Sequence, residues 1–362
     1  MSNDNRFDQT GPSNDAVDPR RVSSSISGTE GVRVDLTARG FDSAAHYADA
    51  AQRAAELPVA THAELPEAAP GVPTKAMSRS DLLRRRFLRN PTAWVGMGMF
   101  AILVLVAVFA PMFYQYKPFD RDLRNSLTGP SQYHWFGVNE NGYDIFARIV
   151  AGLRISLVIG IGTALLTTCI ALFFGTLAGY AGSRGRLGRL LDTTALNVIN
   201  LFLVVPSLLI LMLFSPVLQK ASWLWMIPLL SLFSWMLTAR VLRSMTLQLV
   251  NTDYVHAAEF MGVSPLTNVR RHIIPNIASW IIIDTTLGVG GAILGETGLS
   301  FIGMGIQYPM VSLGTVLQDY NISAPYTWIP AALVLAFLVI SINLMGEALR
   351  DALDPTSGSS RI

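Results

Sequence analysis

The chain has 362 residues, of which 51% are hydrophobic and only 14% are charged. Its mean hydropathy of +0.40 is too high for a soluble domain of average composition. The net charge of +2 decides little, because the placement of Lys and Arg matters more than their sum in a membrane protein. The composition therefore argues against a soluble protein and predicts an integral membrane protein.

The sequence lacks the motifs of catalytic and metal-binding proteins. The single cysteine, Cys169, excludes an intramolecular disulfide, and the five scattered histidines form no HExxH pattern. No Walker A loop and no serine-nucleophile elbow occur either. We expect a protein that is not itself an enzyme and binds no metal and no cofactor. Any ATP that its work consumes would bind to another chain.

Residues 1 to about 76 are rich in Ser, Asp, Ala, Pro and Thr and lack the layout of a signal peptide. We expect a disordered tail over 1–80. The stretch 81–91 is basic and apolar, so its apolar side chains would face lipid while its arginines meet the headgroups. It predicts an interfacial lead-in that contacts membrane lipid.

The remaining sequence contains six apolar stretches long enough to cross a bilayer. The first, 92–113, has 22 residues without a charge, about 33 Å of helix at roughly 1.5 Å per residue. We therefore predict an all-α integral membrane protein with six transmembrane helices. The other five expected spans are 155–180, 193–218, 221–239, 276–302 and 321–346.

The distribution of basic residues predicts the orientation. An even number of spans puts both termini on one side, where 13 arginines fall, against six Lys or Arg on the other. Both termini are therefore expected in the cytoplasm. The segment 114–154 would be extracytoplasmic, a core of five spans would occupy 155–355, and 356–362 would form a C-terminal tail.

A polar, basic interruption over 253–276 would then face the cytoplasm. Asp253 can cap a helix over 254–261, and Gly262 can end it in a left-handed conformation. Helix, turn and helix are predicted.

The second helix of this loop has its own start signals. Ser264 is a good N-cap, and Pro265 sits at the first helical position, so a helix over 265–273 is expected to run until Pro275. The spacing of apolar residues fits a docking loop for a partner. It fits equally well an amphipathic loop that lies on a membrane surface.

Two carboxylates interrupt the fifth span. Asp284 could line a cavity as a polar pathway group, or it could be a hydrogen-bonded carboxyl buried against another helix, because an unpaired charge is costly at bilayer depth. Glu296, the other candidate pathway group, is expected near the outer end of the span, where water would solvate it.

Two glycine pairs have the spacing that permits close helix packing. Gly175 and Gly179 stand four apart, as do Gly291 and Gly295. We expect both pairs to mark contacts between packed helices.

The interruption at 253–276 resembles the EAA loop of permease subunits of ABC importers, in the form DYVxAAxxxGxS followed by RHILPN. Asn268 and Arg270 stand where the family has apolar residues. The resemblance implies that this loop contacts an ATPase subunit. The residues that it assigns to this contact are Ala257, Ala258, Glu259, Gly262, Ser264, Arg271, His272 and Pro275.

Further stretches narrow the resemblance to the C-type subunit of the peptide/nickel permease family. The stretch 134–157 is similar to HxLGTDxxGRDxxSRxxxGxRxSL, 296–305 to ExxLSFLGLG, and 343–355 to NxxGDxLRDxLDP. Val138, Asn139 and Tyr143 replace the usual Thr, Asp and Arg of the first motif. Its retained candidate site residues are Gly137, Glu140, Gly142, Asp144, Arg148, Gly152 and Arg154.

The resemblance implies a type I ABC importer permease fold in the plasma (cell inner) membrane. The expected partners are a second, B-type permease subunit, two ABC ATPase subunits that use ATP and Mg, and an extracytoplasmic substrate-binding protein, with no nucleic acid. The motif at 134–157 would meet the binding protein or gate the outer mouth.

Oligopeptides or dipeptides are the leading substrates that the resemblance implies. Nickel complexes, glutathione and other small solutes use similar permeases. An ion-coupled secondary transporter, with Asp284 and Glu296 as ion sites, is the alternative from another class. It would be expected to carry interrupted helices in matching halves, and the second to fourth spans show no counterpart to the fifth.

Overall fold

A computed structural model describes residues 79–218 and 222–353 of the chain. The tail expected over 1–80 lies outside the described residues, except for its last two positions, which are helical. The C-terminal tail expected over 356–362 also lies outside them.

The described residues form eleven α-helices and no strand apart from two isolated bridges. A π-turn over Val269–Ile273 joins α8 to α9, so that 265–301 is one continuous helix. The helices are α1 Arg79–Arg89, α2 Pro91–Phe113, α3 Ile145–Gly182, α4 Gly185–Val204, α5 Ser207–Leu218, α6 Met226–Val250, α7 Asp253–Phe260, α8 Pro265–Asn268, α9 Ile274–Phe301, α10 Leu313–Leu317 and α11 Ile329–Leu353.

Six helical runs among the described residues are long and apolar enough to cross a membrane. This confirms the prediction of an all-α protein with six spans. The runs are α2, α3, α4, α6 with the 3-10 turn before it, the continuous helix 265–301, and α11.

The predicted bounds of all spans but the first differ from those of the structure, and the fifth belongs to the helical run 265–301 rather than 276–302. The second span begins at Ile145 rather than at 155, because the Asp144 side chain accepts the Ala147 N–H at 2.7 Å and caps the helix. The last ten positions of the segment expected over 114–154 are therefore helical. The sixth span is 329–353 rather than 321–346. The fourth reaches Val250 instead of 239.

The third span was placed too late in the chain. Helix α4 runs over Gly185–Val204, and the predicted 193–218 is broken at Val205, which is extended. Pro206 explains the break, because the residue before a proline is disfavoured in the helical region. Pro228, by contrast, lies in the first turn of α6, where its missing N–H costs no helical hydrogen bond.

The spans divide the loops into two groups on opposite sides. We call the side with residues 183–184 and 251–273 the basic side. Residues 114–144 and 302–328 lie on the other side, and we call these two segments together the cap.

Helix α3 packs closely on α6 through two of the predicted glycines. A Cβ added to Gly175 would lie 2.6 Å from the carbonyl oxygen of Ala239, and one added to Gly179 would lie 2.6 Å from that of Arg243. The other pair marks no contact between helices of the described chain, because none of residues 79–218 and 222–353 lies within 4 Å of a Cβ added to Gly291 or Gly295. Those two glycines line a cavity instead.

We predict that Gly175→Ala lowers the free energy of unfolding by about 1–3 kcal/mol, because the new methyl group meets a backbone carbonyl that cannot rotate away. Gly291→Ala is the matched control, since its methyl group has open space and alanine favours a helix. Thermal unfolding of the purified chain in one detergent would compare them. Equal shifts in Tm would contradict the prediction.

Candidate functional site

The predicted loop over 253–276 forms a helix, a glycine turn and a helix. Gly262 has φ of +81° and donates its N–H to the Glu259 carbonyl at 2.9 Å, which ends α7 as predicted. Asp253 is the first residue of α7 rather than its cap; Thr252 occupies the N-cap position. The helix is therefore 253–260 and not 254–261.

The second helix starts as predicted but does not end there. The Ser264 hydroxyl accepts the Thr267 N–H at 3.4 Å, and Pro265 occupies the first turn. Pro275 was expected to stop this helix, yet α9 continues through it. The π-turn over Val269–Ile273 lies just before the proline. Such a turn shifts the register of the backbone hydrogen bonds, so the helix can continue through a residue that has no N–H.

A carboxylate fixes the loop to the end of α3. Glu259 Oε1 accepts the Tyr180 hydroxyl at 3.0 Å, pairs with Arg184, and accepts the Asn268 amide at 3.4 Å. The Arg184 guanidinium also lies over the Tyr180 ring, 4.4 Å from its centroid. Asn268 is fully buried at a position where the family has an apolar residue. Its amide provides a hydrogen-bond donor for Glu259 that an apolar side chain would lack. Sequence reasoning missed Tyr180 and Arg184, because neither lies within the loop.

The loop presents apolar side chains to its surroundings. Phe260 is 92% exposed, Leu266 79% and Met261 77%. Ala257 is exposed, whereas Ala258 is buried. An exposed apolar group of this kind marks an interaction surface.

The remaining predicted loop residues differ in how far they are exposed. Arg271 and Pro275 are exposed, and His272 is partly buried. The Asn276 amide donates to the His272 carbonyl at 2.6 Å and to the Tyr254 hydroxyl at 3.2 Å. These bonds tie α7 to the start of α9, which keeps the loop surface in one shape.

The seven predicted residues of the outer motif lie in the first cap segment and in the first turns of α3. Gly137 and Gly142 have φ of +85° and +80°, where L side chains are strained. The Gly152 position has no room for a Cβ, which would lie 2.7 Å from the backbone of Ser312. Glu140 is exposed and accepts the Asn321 amide at 2.7 Å, which bridges the two cap segments.

Asp144 connects three parts of the cap. Besides capping α3, it accepts the Tyr114 hydroxyl at 2.8 Å and lies 2.7 Å from His134 Nδ1. Burial, and then donation to Asp144, raises the pKa of Tyr114 above its usual range. Hydrogen bonds, chiefly from the Asn125 side chain, lower the pKa of the neighbouring Asp122.

Arg154 replaces a backbone hydrogen-bond donor that is missing from helix α2. Pro111 lies inside α2 and has no N–H, so the Ala107 carbonyl four residues earlier lacks its helical donor. The Arg154 guanidinium donates to this carbonyl and to that of Val108, the latter at 2.9 Å. Arg154 therefore locks α2 to α3.

Arg148 anchors the second cap segment. It pairs with Asp319, which also accepts the Asn139 amide at 2.8 Å. Burial raises the pKa of Asp319, and the Arg148 guanidinium and Asn139 amide act against that rise. Asn139 stands where the family has Asp, and here its amide donates to a carboxylate that a second Asp would repel.

A cavity of about 380 Å³, lined by apolar residues, several hydroxyls and one carboxylate, lies between α3, α6 and α9. Asp284 lines it and accepts the Thr238 hydroxyl at 3.0 Å. Thr168 on α3 and Thr285 on α9 also line the cavity, and their hydroxyl oxygens lie 2.8 Å apart. Sequence reasoning found Asp284 but not the hydroxyls of α3 and α6, because scattered Thr and Ser in apolar spans carry no pattern. The hydroxyl residues are Thr163, Thr167, Thr168, Ser234, Thr238 and Thr285.

Glu296 is not solvated at the outer end of the fifth span, as had been expected. It is fully buried, outside the cavity lining. Its carboxylate accepts the hydroxyls of Ser300 at 2.6 Å and Ser156 at 3.0 Å. The Ser156 hydroxyl in turn accepts the Leu313 N–H at 3.2 Å, so that Glu296 joins α3, α9 and α10.

Comparisons with known proteins decide the family. Residues 171–358 match the family described as binding-protein-dependent transport system inner membrane component. The chain belongs to this family. Residues 78–130 match the N-terminal transmembrane domain of oligopeptide transport permease C. The predicted recognition as an ABC permease of the C-type oligopeptide group is confirmed, and with it the multi-pass inner-membrane class.

Two relatives cover most of the chain. The oligopeptide transport system permease protein OppC of Mycobacterium tuberculosis H37Rv is 39% identical over 292 residues, 80% of this chain and 98% of the relative. The Bacillus subtilis protein of that name is 35% identical over 274 residues, 75% of this chain and 87% of the relative. Among solved structures, the inward-facing MetNI methionine ABC transporter matches 57% of this chain and 96% of that chain, with 18% identity and a TM-score of 0.45.

We predict that Asn139→Asp loosens the cap, because it replaces the amide donated to Asp319 with a second carboxylate. The loss in unfolding free energy should be about 1–3 kcal/mol at pH 7 and should shrink as the pH falls, since protonation of either carboxyl removes the repulsion. Asn141→Asp, at an exposed position, is the control. Thermal unfolding between pH 5 and 8 would measure both, and a pH-independent difference would contradict the prediction.

Proposed function

We propose that the chain forms half of the translocation pathway of an ATP-driven importer of oligopeptides or dipeptides. The observation that carries this proposal is its 39% identity, over 80% of this chain and 98% of the relative, to an oligopeptide permease. The hydroxyl-lined cavity with Asp284 supports it, because a solute pathway needs polar groups within the spans. A B-type permease would supply the other half of the pathway.

In this proposal the basic side is cytoplasmic and carries the ATPase contact. Two ABC ATPase subunits hydrolyse ATP with Mg, and the loop over 253–276 seats on one of them. The exposed Phe260, Met261 and Leu266 supply the apolar part of the contact. Glu259 transmits movement of the loop to the end of α3 through Tyr180 and Arg184.

The cap is extracytoplasmic in this proposal and receives the substrate-binding protein. Its internal bonds support a rigid docking surface, since Arg148, Asp144 and Glu140 each join separate segments of the chain. The same machinery importing nickel complexes, glutathione or another small solute is the alternative.

The substrate proposal is tested by reconstitution of the chain with its B-type permease and two ATPases in liposomes. We expect the binding protein loaded with a peptide to stimulate ATP hydrolysis and peptide uptake together. Stimulation by a nickel complex or glutathione, and by no peptide, would refute the substrate. Uptake that is abolished by collapse of the proton gradient and indifferent to the ATPases would refute the ATP-driven class.

We predict that Gly262→Val uncouples ATP hydrolysis from uptake without preventing membrane insertion. The space around Gly262 is open, so the cost of about 1 kcal/mol or more comes from its left-handed φ alone. Gly262→Asn is the matched variant, because Asn tolerates this conformation, and it should retain more coupling than Val. Transport per ATP hydrolysed measures the effect. Normal coupling in Gly262→Val would contradict the docking role.

A further inference from the structure

The membrane cavity contains a carboxylate with no cationic partner. Asp284 lies near the middle of the helix 265–301 and has one hydrogen bond, from Thr238. No ion pair to Asp284 forms among residues 79–218 and 222–353. Carboxylates at bilayer depth are costly and are retained where they serve a function or have a partner.

Glu296 on the same helix shows how a structural carboxyl is satisfied here. It is fully buried and accepts two serine hydroxyls, one on each oxygen. Asp284 is only partly buried, and its second oxygen has no donor among the described residues. Asp284 therefore keeps acceptor capacity directed at the cavity rather than at a neighbouring helix.

Other polar atoms of the cavity are also unsatisfied. The hydroxyls of Thr163 and Thr167 are buried and have no hydrogen-bond partner within the described part of the chain. Both residues line the cavity, on the α3 wall. Buried polar groups without partners are rare in folded proteins and call for a ligand, an ion or water.

The opposite wall leaves room for a solute. Gly288, Gly291 and Gly295 lie along the cavity face of α9, and no described residue approaches within 4 Å of a Cβ at the last two. The volume of about 380 Å³ lies within the range of small-molecule sites. The cavity thus combines one carboxylate that keeps acceptor capacity with unfilled space.

We propose that Asp284 binds the cationic amino group of a solute in transit through this cavity. This inference rests on the proposed function, because it assumes that the cavity belongs to the pathway. It names the substrate class more closely: solutes with a free, protonated amine, such as peptides with an unblocked N-terminus. The carboxylate attracts the ammonium through its charge and accepts its N–H groups as hydrogen-bond donors.

The first test measures whether Asp284 attracts cations that reach the cavity. Gly288→Cys places a thiol four residues along the helix from Asp284, about 5–6 Å away on the same face. In a Cys169→Ala background, the complete transporter is treated with a cationic and with an anionic methanethiosulfonate reagent of similar size. The measured quantity is the ratio of the cationic to the anionic modification rate.

We expect Asp284→Asn to lower this ratio at least about three-fold, the effect of one charge at this distance even in bulk water. Thr286→Val is the control, because Thr286 donates within its own helix and does not line the cavity, so the ratio should stay unchanged. An equal ratio with and without the Asp284 charge would overturn the proposal. Absence of modification by either reagent would also overturn it, since no solute would then reach Asp284.

The second test uses uptake of trialanine by the complete transporter with its binding protein. Asp284→Asn should reduce uptake about ten-fold, the size of one hydrogen bond to a charged group, while Thr286→Val should not. Normal uptake by Asp284→Asn would overturn the amine site but leave the peptide importer intact. If the unmodified transporter fails to import any peptide, the proposed function fails, and the thiol ratio still decides whether Asp284 binds cations.

Discussion

The structure depends on one helix that is continuous from the cap to the basic side. Helix α3 has 38 residues, about 57 Å at roughly 1.5 Å per residue, and the close approach at Gly175 and Gly179 holds it against α6. Its first turns carry Asp144 and Arg148, which bind the cap. Its middle lines the cavity that contains Asp284, and its last turn holds the loop through Tyr180.

Hydrogen-bond satisfaction within the spans explains why several polar side chains are placed as they are. Arg154 supplies donors to the Ala107 and Val108 carbonyls next to Pro111, and Glu296 accepts hydroxyls from two helices. Unsatisfied polar groups are expensive in lipid. The Arg154 bonds and the Ser156–Glu296 bond also fix how two helices meet, whereas Ser300 lies on the same helix as Glu296. Asp284 differs, because one of its oxygens has no hydrogen-bond donor among the described residues, and it lines the cavity.

Local signals of the sequence were enough to predict the six spans, the Gly262 turn and the Ser264 cap, because hydropathy and capping depend on neighbouring residues. The helix bounds failed where a distant or competing effect decided them. Pro275 was expected to end a helix, but the π-turn before it preserved the helix, and Pro206 broke one that hydropathy alone extends. Gly291 and Gly295 have the spacing of a packing motif and pack against nothing within the described chain, because spacing does not reveal what faces a glycine.

The candidate site was only partly predictable for the same reason. Glu259 was found within its motif, but its partners Tyr180 and Arg184 lie 75 or more positions away in the chain. Asn139 and Asn268 both differ from the family pattern, and the structure gives the reason: Asn139 donates to Asp319, and Asn268 donates to Glu259. Both substitutions put an amide donor next to a carboxylate, one in the cap and one at the loop, at opposite ends of α3. Under the proposed function, these are the two ends between which movement must pass, and at each end an uncharged amide donates to the carboxylate without adding a second negative charge.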